Sequence, residues 1–98
     1  MKMLFIVCET AIDYRVVKLL EECQVPGYTR YGGVSGVGRH SRHIGSSINP
    51  GSNTIFIVVL EDEQADAIVS RLQHFVENWE GRRPPGLRVF ELPCTERL

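Results

Sequence analysis

Two kinds of apolar pattern alternate along the chain. Lys2–Glu9 is short, rich in branched and aromatic residues, and apolar on both alternating faces, which predicts a strand. Ile12, Val16, Leu19, Leu20 and Cys23 then fall within an arc of about 100° at the helical period, the stripe of an amphipathic helix. Thr10, with Asp13 three residues on, reads as the N-cap and capping box of that helix, and Pro26-Gly27 stops it. Residues 28–39 alternate loosely and are interrupted by Gly32, Gly33, Gly36 and Gly38, which predicts a bent or bulged strand. Residues 40–53 are polar and hold Gly45, Ser46, Ser47, Pro50, Gly51 and Ser52, the composition of a loop. Residues 54–60 form the clearest strand. Glu61 or Asp62 can cap a second helix, whose Ala65, Ile68, Val69, Leu72, Phe75, Val76 and Trp79 occupy an arc of about 120°. Asp66, Ser70, Arg71, His74 and Glu77 take its solvated face. Residues 81–86 enclose Pro84-Pro85 in a stiff loop, residues 87–92 form the last strand, and a polar tail follows.

The element order is β-α-β-β-α-β, the split β-α-β arrangement of a ferredoxin-like α+β sandwich. Both helices then lie on one face of a four-stranded antiparallel sheet with the first and third strands at its centre. A sheet covered on one face should alternate apolar and polar positions. Leu4, Phe5, Ile6, Val7 and Cys8, and Ile55, Phe56, Ile57, Val58, Val59 and Leu60, do not alternate. The second face therefore needs a cover that so short a chain cannot supply, and self-association through the sheet is the simplest one.

Composition narrows the function classes. With 98 residues, 43% of them apolar, there is room for one domain over residues 1–98 and one core. A formal charge of −1 provides no field to attract nucleic acid or an anionic membrane. The apolar runs 4–8 and 55–60 are too short to cross a bilayer, so no direct membrane insertion is expected. No signal-peptide pattern opens the sequence, and a cytoplasmic location is expected. Cys8, Cys23 and Cys94 are widely spaced and include no C-x-x-C pair, which argues against a disulfide framework. Cys8 and Cys23 read as small core residues and Cys94 as part of the tail.

The stretch Gly32-Gly-Val-Ser-Gly-Val-Gly-Arg39 is the most informative. Consecutive glycines let a backbone approach a ligand and turn its N–H groups toward an anion, and Arg39 can pair with phosphate. The same glycines also suit a strand that merely bends. His40 and His43 form H-x-x-H, a candidate divalent-cation pair or simply solvated loop histidines. No Ser/His/Asp set, carboxylate pair or cysteine–histidine motif points to an enzyme. The glycine stretch superficially looks like an acylphosphatase loop, but it follows the first helix, where that loop would precede it. No enzyme is therefore expected.

Gly27-Tyr28-Thr29 after the first helix, Gly36-Val37-Gly38-Arg39 at the base of the long loop, and the element order together resemble the P-II signal-transduction superfamily, its P-II-like group, over nearly the whole chain. The resemblance implies a homotrimer that binds an adenine nucleotide (ATP, ADP or AMP), or a similar small anion, in clefts between subunits. It implies no required cofactor. The loop after the second strand would report the bound state to a regulated protein, such as a membrane transporter. Gly36, Gly38 and Arg39 correspond to the phosphate-contacting loop base, and Tyr28 and Thr29 to residues near the base or ribose. The loop at 40–53 is shorter than in nitrogen-regulatory P-II proteins and lacks their modified tyrosine. Their second phosphate loop, a glycine-aspartate-glycine-lysine run, is replaced by Glu80-Gly-Arg-Arg-Pro-Pro-Gly-Leu-Arg88. There Gly86 matches a family glycine, and Arg82, Arg83 or Arg88 can supply the positive charge. A metal-responsive trimer using His40 and His43, and an amino-acid-binding regulatory domain of the same fold, are the competing readings.

Overall fold

The computed structural model describes residues 1–37, 42–43 and 52–98. Strand β1 (Lys2–Glu9) passes through a short 3-10 turn (Thr10–Ile12) into α1 (Asp13–Glu22). Strand β2 (Thr29–Val34) follows, then the two-residue strands β3 (Gly36–Val37) and β4 (Arg42–His43), β5 (Asn53–Leu60), α2 (Asp62–Glu77) and β6 (Leu87–Pro93). Strands β2, β5, β1 and β6 form a four-stranded sheet in that order, every pair antiparallel. The expected ferredoxin-like arrangement, with the first and third long strands central, is what the chain adopts.

The core is one cluster between the sheet and the helices. Leu4, Ile6 and Cys8 of β1 and Phe56, Val58 and Leu60 of β5 are buried against Val16, Leu19 and Leu20 of α1 and Ala65, Ile68 and Leu72 of α2. The alternate residues of the same strands point the other way. Cross-strand register puts Thr29, Ile57, Phe5 and Phe90 in one row of that second face, and Val59, Met3 and Leu92 in another. Phe90 is 53% exposed and Leu92 50%. The apolar surplus read from β1 and β5 is thus a real surface of the subunit. Nothing in the chain's described residues packs over it.

Three local expectations change. Thr10 does not cap α1: it starts the 3-10 turn, and its hydroxyl bonds Ser52 Oγ at 2.8 Å and Thr54 Oγ1 at 3.2 Å. Asp13 opens α1 but is buried, because its carboxylate serves the sheet instead of the helix end. Residues 40–53 are not loop throughout, since Arg42 pairs with Val37 and His43 with Gly36 in a separate two-stranded ladder, and Asn53 begins β5. The bend expected in residues 28–39 is present: the β2–β5 register shifts between Tyr31 and Val34, where Gly33 takes a φ of 67° that a side chain would resist.

Candidate functional site

The β2 edge carries Tyr28 and Thr29 at its beginning. The Tyr28 ring lies edge-to-face on Phe56, with centroids 5.7 Å apart, so its body packs on the core side while the residue remains 37% exposed. Thr29 stands opposite Ile57 and belongs to the uncovered apolar face. At the far end of β2, Gly36 begins β3 beside Asn53, so close that a Cβ there would stand 2.8 Å from Asn53 Nδ2.

The β6 edge carries Gly86 and Arg88. The carbonyl of Gly86 accepts from the Glu9 N–H at 2.8 Å, and a Cβ on Gly86 would come within 2.5 Å of Glu9 Cγ. A side chain at that point would have to displace the Glu9 side chain, all of whose nearest atoms belong to its flexible end. Arg88 stands opposite Val7, exposed, on the same face as Thr29. Arg82 and Arg83 are exposed in the loop before it, and the Trp79 indole N–H donates to the Arg83 carbonyl at 2.8 Å.

These residues reach two places in the sheet. Gly86 lies at the end of the row Val34, Asn53 and Glu9, and Gly36 lies beside the Asn53 side chain at the same end. The β2 and β6 edges, however, are three inter-strand steps apart, about 14 Å at about 4.8 Å per step. A single subunit does not bring Thr29 against Arg88. Gly38, Arg39 and His40 lie outside the described residues; His43 is placed only as a residue of β4. Among the described residues, no group of three or more His, Cys, Asp or Glu is arranged to hold a metal ion.

Sequence reasoning missed the polar cluster at the root of the 40–53 segment. Asp13 Oδ2 accepts from Thr54 Oγ1 at 2.8 Å and from Arg30 Nη2 at 2.6 Å. Through Thr10 the cluster reaches Ser52, whose carbonyl also accepts from the Thr10 N–H at 2.8 Å. It therefore joins α1, β2 and the segment's C-terminal end. The signal was present: Asp13 sits three residues before Val16 and seven before Leu20, on the apolar stripe. A charge at a core position calls for a buried partner more than for a cap.

Cys8 is buried on the core side of β1. Burial first, and then the nearby Asp13 charge, push its thiol up to about 12. It is a packing residue. Cys23 packs partly buried against the core. Cys94 is likewise half-buried, its N–H donating to the Met1 carbonyl at 3.2 Å. No helix among the described residues is long and apolar enough to cross a membrane.

Comparison with known proteins agrees with this geometry. The sequence model of the family described as nitrogen regulatory protein P-II matches residues 1–96. None of the curated proteins matches. Among solved structures, CPII of Thiomonas intermedia K12, a nitrogen regulatory PII-like protein, superposes with a TM-score of 0.70 at 25% identity, over 93% of this chain and 84% of that one. It has been solved bound to ADP and bicarbonate, and also with ADP, AMP and bicarbonate. A putative PII-like signalling protein of Thermus thermophilus gives 0.63 at 26% identity, over 93% and 85% of the two chains. With the family model covering almost every residue and the fold superposing on a PII-like protein, the chain belongs to the P-II family of signalling proteins.

Proposed function

We propose that this chain is a P-II-like regulatory protein. It binds an adenine nucleotide in clefts between the subunits of a homotrimer and passes the bound state to a partner protein through residues 40–53. The observation that carries the reading is the split of the candidate ligand residues between opposite sheet edges, beside a face whose apolar side chains lack a cover among the described residues. Packing that face against other copies sets the β2 edge of one subunit near the β6 edge of the next. Tyr28, Thr29 and Gly36 then meet Gly86 and Arg88 across the boundary. Gly38 and Arg39 complete the phosphate side in this reading, and Arg88, with Arg82 or Arg83, replaces the lysine of the family's second phosphate loop.

ADP and AMP are the first candidate ligands, with ATP beside them and bicarbonate as co-effector, because CPII has been solved with ADP, AMP and bicarbonate. The protein works by binding, not catalysis, in the cytoplasm, and a membrane transporter is the class of partner expected.

The test is isothermal calorimetry with ATP, ADP and AMP, each with and without bicarbonate, alongside light scattering. A nucleotide that binds a trimer once per cleft supports the reading. A monomer, or a trimer indifferent to all three nucleotides, ends it.

A further inference from the structure

The groove between the two helices has no part in the reading above. It lies on the opposite side of the sheet from the apolar face, has a volume of about 620 Å³ and is a partly open cleft, not an enclosed cavity. Helix α1 lends it Arg15, Lys18 and Glu22, one stripe at the helical period; α2 lends Arg71 and Phe75, and Trp79 stands just beyond the helix end. The helices run antiparallel, so that Glu22 meets Arg71 at one end, at 2.8 Å, and Arg15 meets Phe75 at the other.

The two ends differ in chemistry. Arg71 is neutralised by Glu22. Arg15 lies with its guanidinium carbon 5.0 Å from the Phe75 ring centroid, and neither it nor the exposed Lys18 has a carboxylate partner among the described residues. Phe75 and Trp79 meet edge-to-face at 5.5 Å, and the bond from the Trp79 indole to Arg83 fixes the orientation of that ring. Both rings are partly buried and packed against the core, so they form a stiff floor at little entropic cost. The result is an aromatic shelf beside Arg15 and Lys18, two cations in no salt bridge among the described residues. The Glu80 carboxylate also lines the groove, leaving it one positive charge in excess over Glu22 and Glu80.

We propose that this groove docks an acidic peptide segment of a partner protein, with its carboxylates on Arg15 and Lys18 and an apolar or aromatic anchor on Phe75 and Trp79. Charge complementarity selects the acidic occupant. The open shape selects a strip of polypeptide over a small molecule, because small-ligand pockets enclose most of their ligand's surface. The site is a second contact surface, separate from residues 40–53, and it stands whether or not the nucleotide cleft does.

The chain has one tryptophan, Trp79, so intrinsic fluorescence reads the groove directly. A random peptide library displayed on phage is selected against the wild-type protein, and the enriched peptides are synthesised. Acidic sequences with one aromatic or large aliphatic residue are expected. They should change Trp79 emission saturably and bind the Arg15→Glu/Lys18→Glu variant about tenfold or more weakly. Circular dichroism establishes that this variant is folded, and Trp79→Phe should remove the optical signal while calorimetry still detects binding. Several results overturn the proposal. These are no enrichment, enrichment without acidic bias, or equal affinity for the double variant. A change in oligomer mass in that variant would place a second copy in the groove. Full competition by benzoate would mark a small-anion site instead. Either one removes the peptide.

Discussion

Thr54 donates a hydrogen bond to Asp13 Oδ2 at 2.8 Å, joining the first residue of α1 to the start of β5 across 41 positions of sequence. Both residues are buried, and the same carboxylate oxygen takes Arg30 at 2.6 Å. Asp13→Ala should lower unfolding stability by about 1.5–3 kcal/mol, the worth of a charged hydrogen bond, with Thr54 left only its longer contact to the Thr10 hydroxyl. Thr54→Val, which keeps the shape but leaves Asp13 with the half-exposed Arg30 alone, should cost less. Urea denaturation of the two variants measures both, and an Asp13→Ala midpoint at the wild-type value would show the cluster to be incidental.

Phe5 and Val7 belong to the uncovered face, not to the core. Phe5→Lys or Val7→Lys should therefore abolish assembly while leaving a folded subunit, since burying a large apolar side chain is worth about 1.5–3 kcal/mol and an unpaired lysine in its place opposes association further. Light scattering should move from about three times the 11.1 kDa chain mass to one. Unaltered mass would mean that another surface holds the assembly together.

Arg39→Ala and Arg88→Ala should each weaken nucleotide binding about tenfold to a hundredfold, the range of one charged hydrogen bond. Arg88 lies on the edge opposite Thr29, so its effect tests the cleft between subunits specifically. In the monomeric Phe5→Lys variant, Arg88→Ala should make no further difference. Calorimetry on the single and double variants separates the two cases.

Residues 40–53 contain one trypsin site, Arg42, and a second, Arg39, directly precedes them. If nucleotide phosphates hold the loop base, cleavage after Arg42 should slow several-fold or more at saturating nucleotide. Mass spectrometry of timed digests reads the rate. Equal rates, with calorimetry showing the ligand bound, would leave binding intact and remove the loop as the reporter.

Cys8 is held neutral by burial, its pKa raised from 9.0 to about 12. The unfolded chain loses this proton first, so stability should decline as pH climbs from about 9 toward 12. Below that window the residue contributes no pH dependence. Iodoacetamide at pH 8 should label the half-buried Cys23 and Cys94 well before Cys8. Cys8 modified at the same rate in native protein would contradict its place in the core.

Much of the fold is legible in the sequence because periodicity reports burial locally. Short apolar runs, helical stripes and the Pro26-Gly27 stop locate the long elements, although the strand expected over 28–39 ends at Val34. The doubly apolar β1 and β5 announce a second face in need of burial from their composition alone. Residues 40–53 read as plain loop because a two-residue strand leaves no periodicity, and the β3–β4 ladder is a pairing between separated residues. The glycines and Arg39 mark a region of the candidate site, but local sequence does not report the register that decides which side chains of the edge strands share a face.

The amino-acid sequence by itself determined the secondary elements, the split β-α-β order, the core stripes and the surplus of apolar strand positions, all of which follow from spacing within short windows. Only the tertiary structure decided that Asp13 is a buried crosslink and not a cap. It alone fixed the register that sets Thr29 in a row with Phe5 and Phe90 and Arg88 opposite Val7 on the same face, and it alone joined Arg15, Lys18, Phe75 and Trp79 into one groove. The physical reason is the same each time. A buried charge is tolerated only where a distant donor meets it, as Thr54 and Arg30 meet Asp13. Strand order and helix packing bring such distant groups together, and neither is written in the local alternation of side chains.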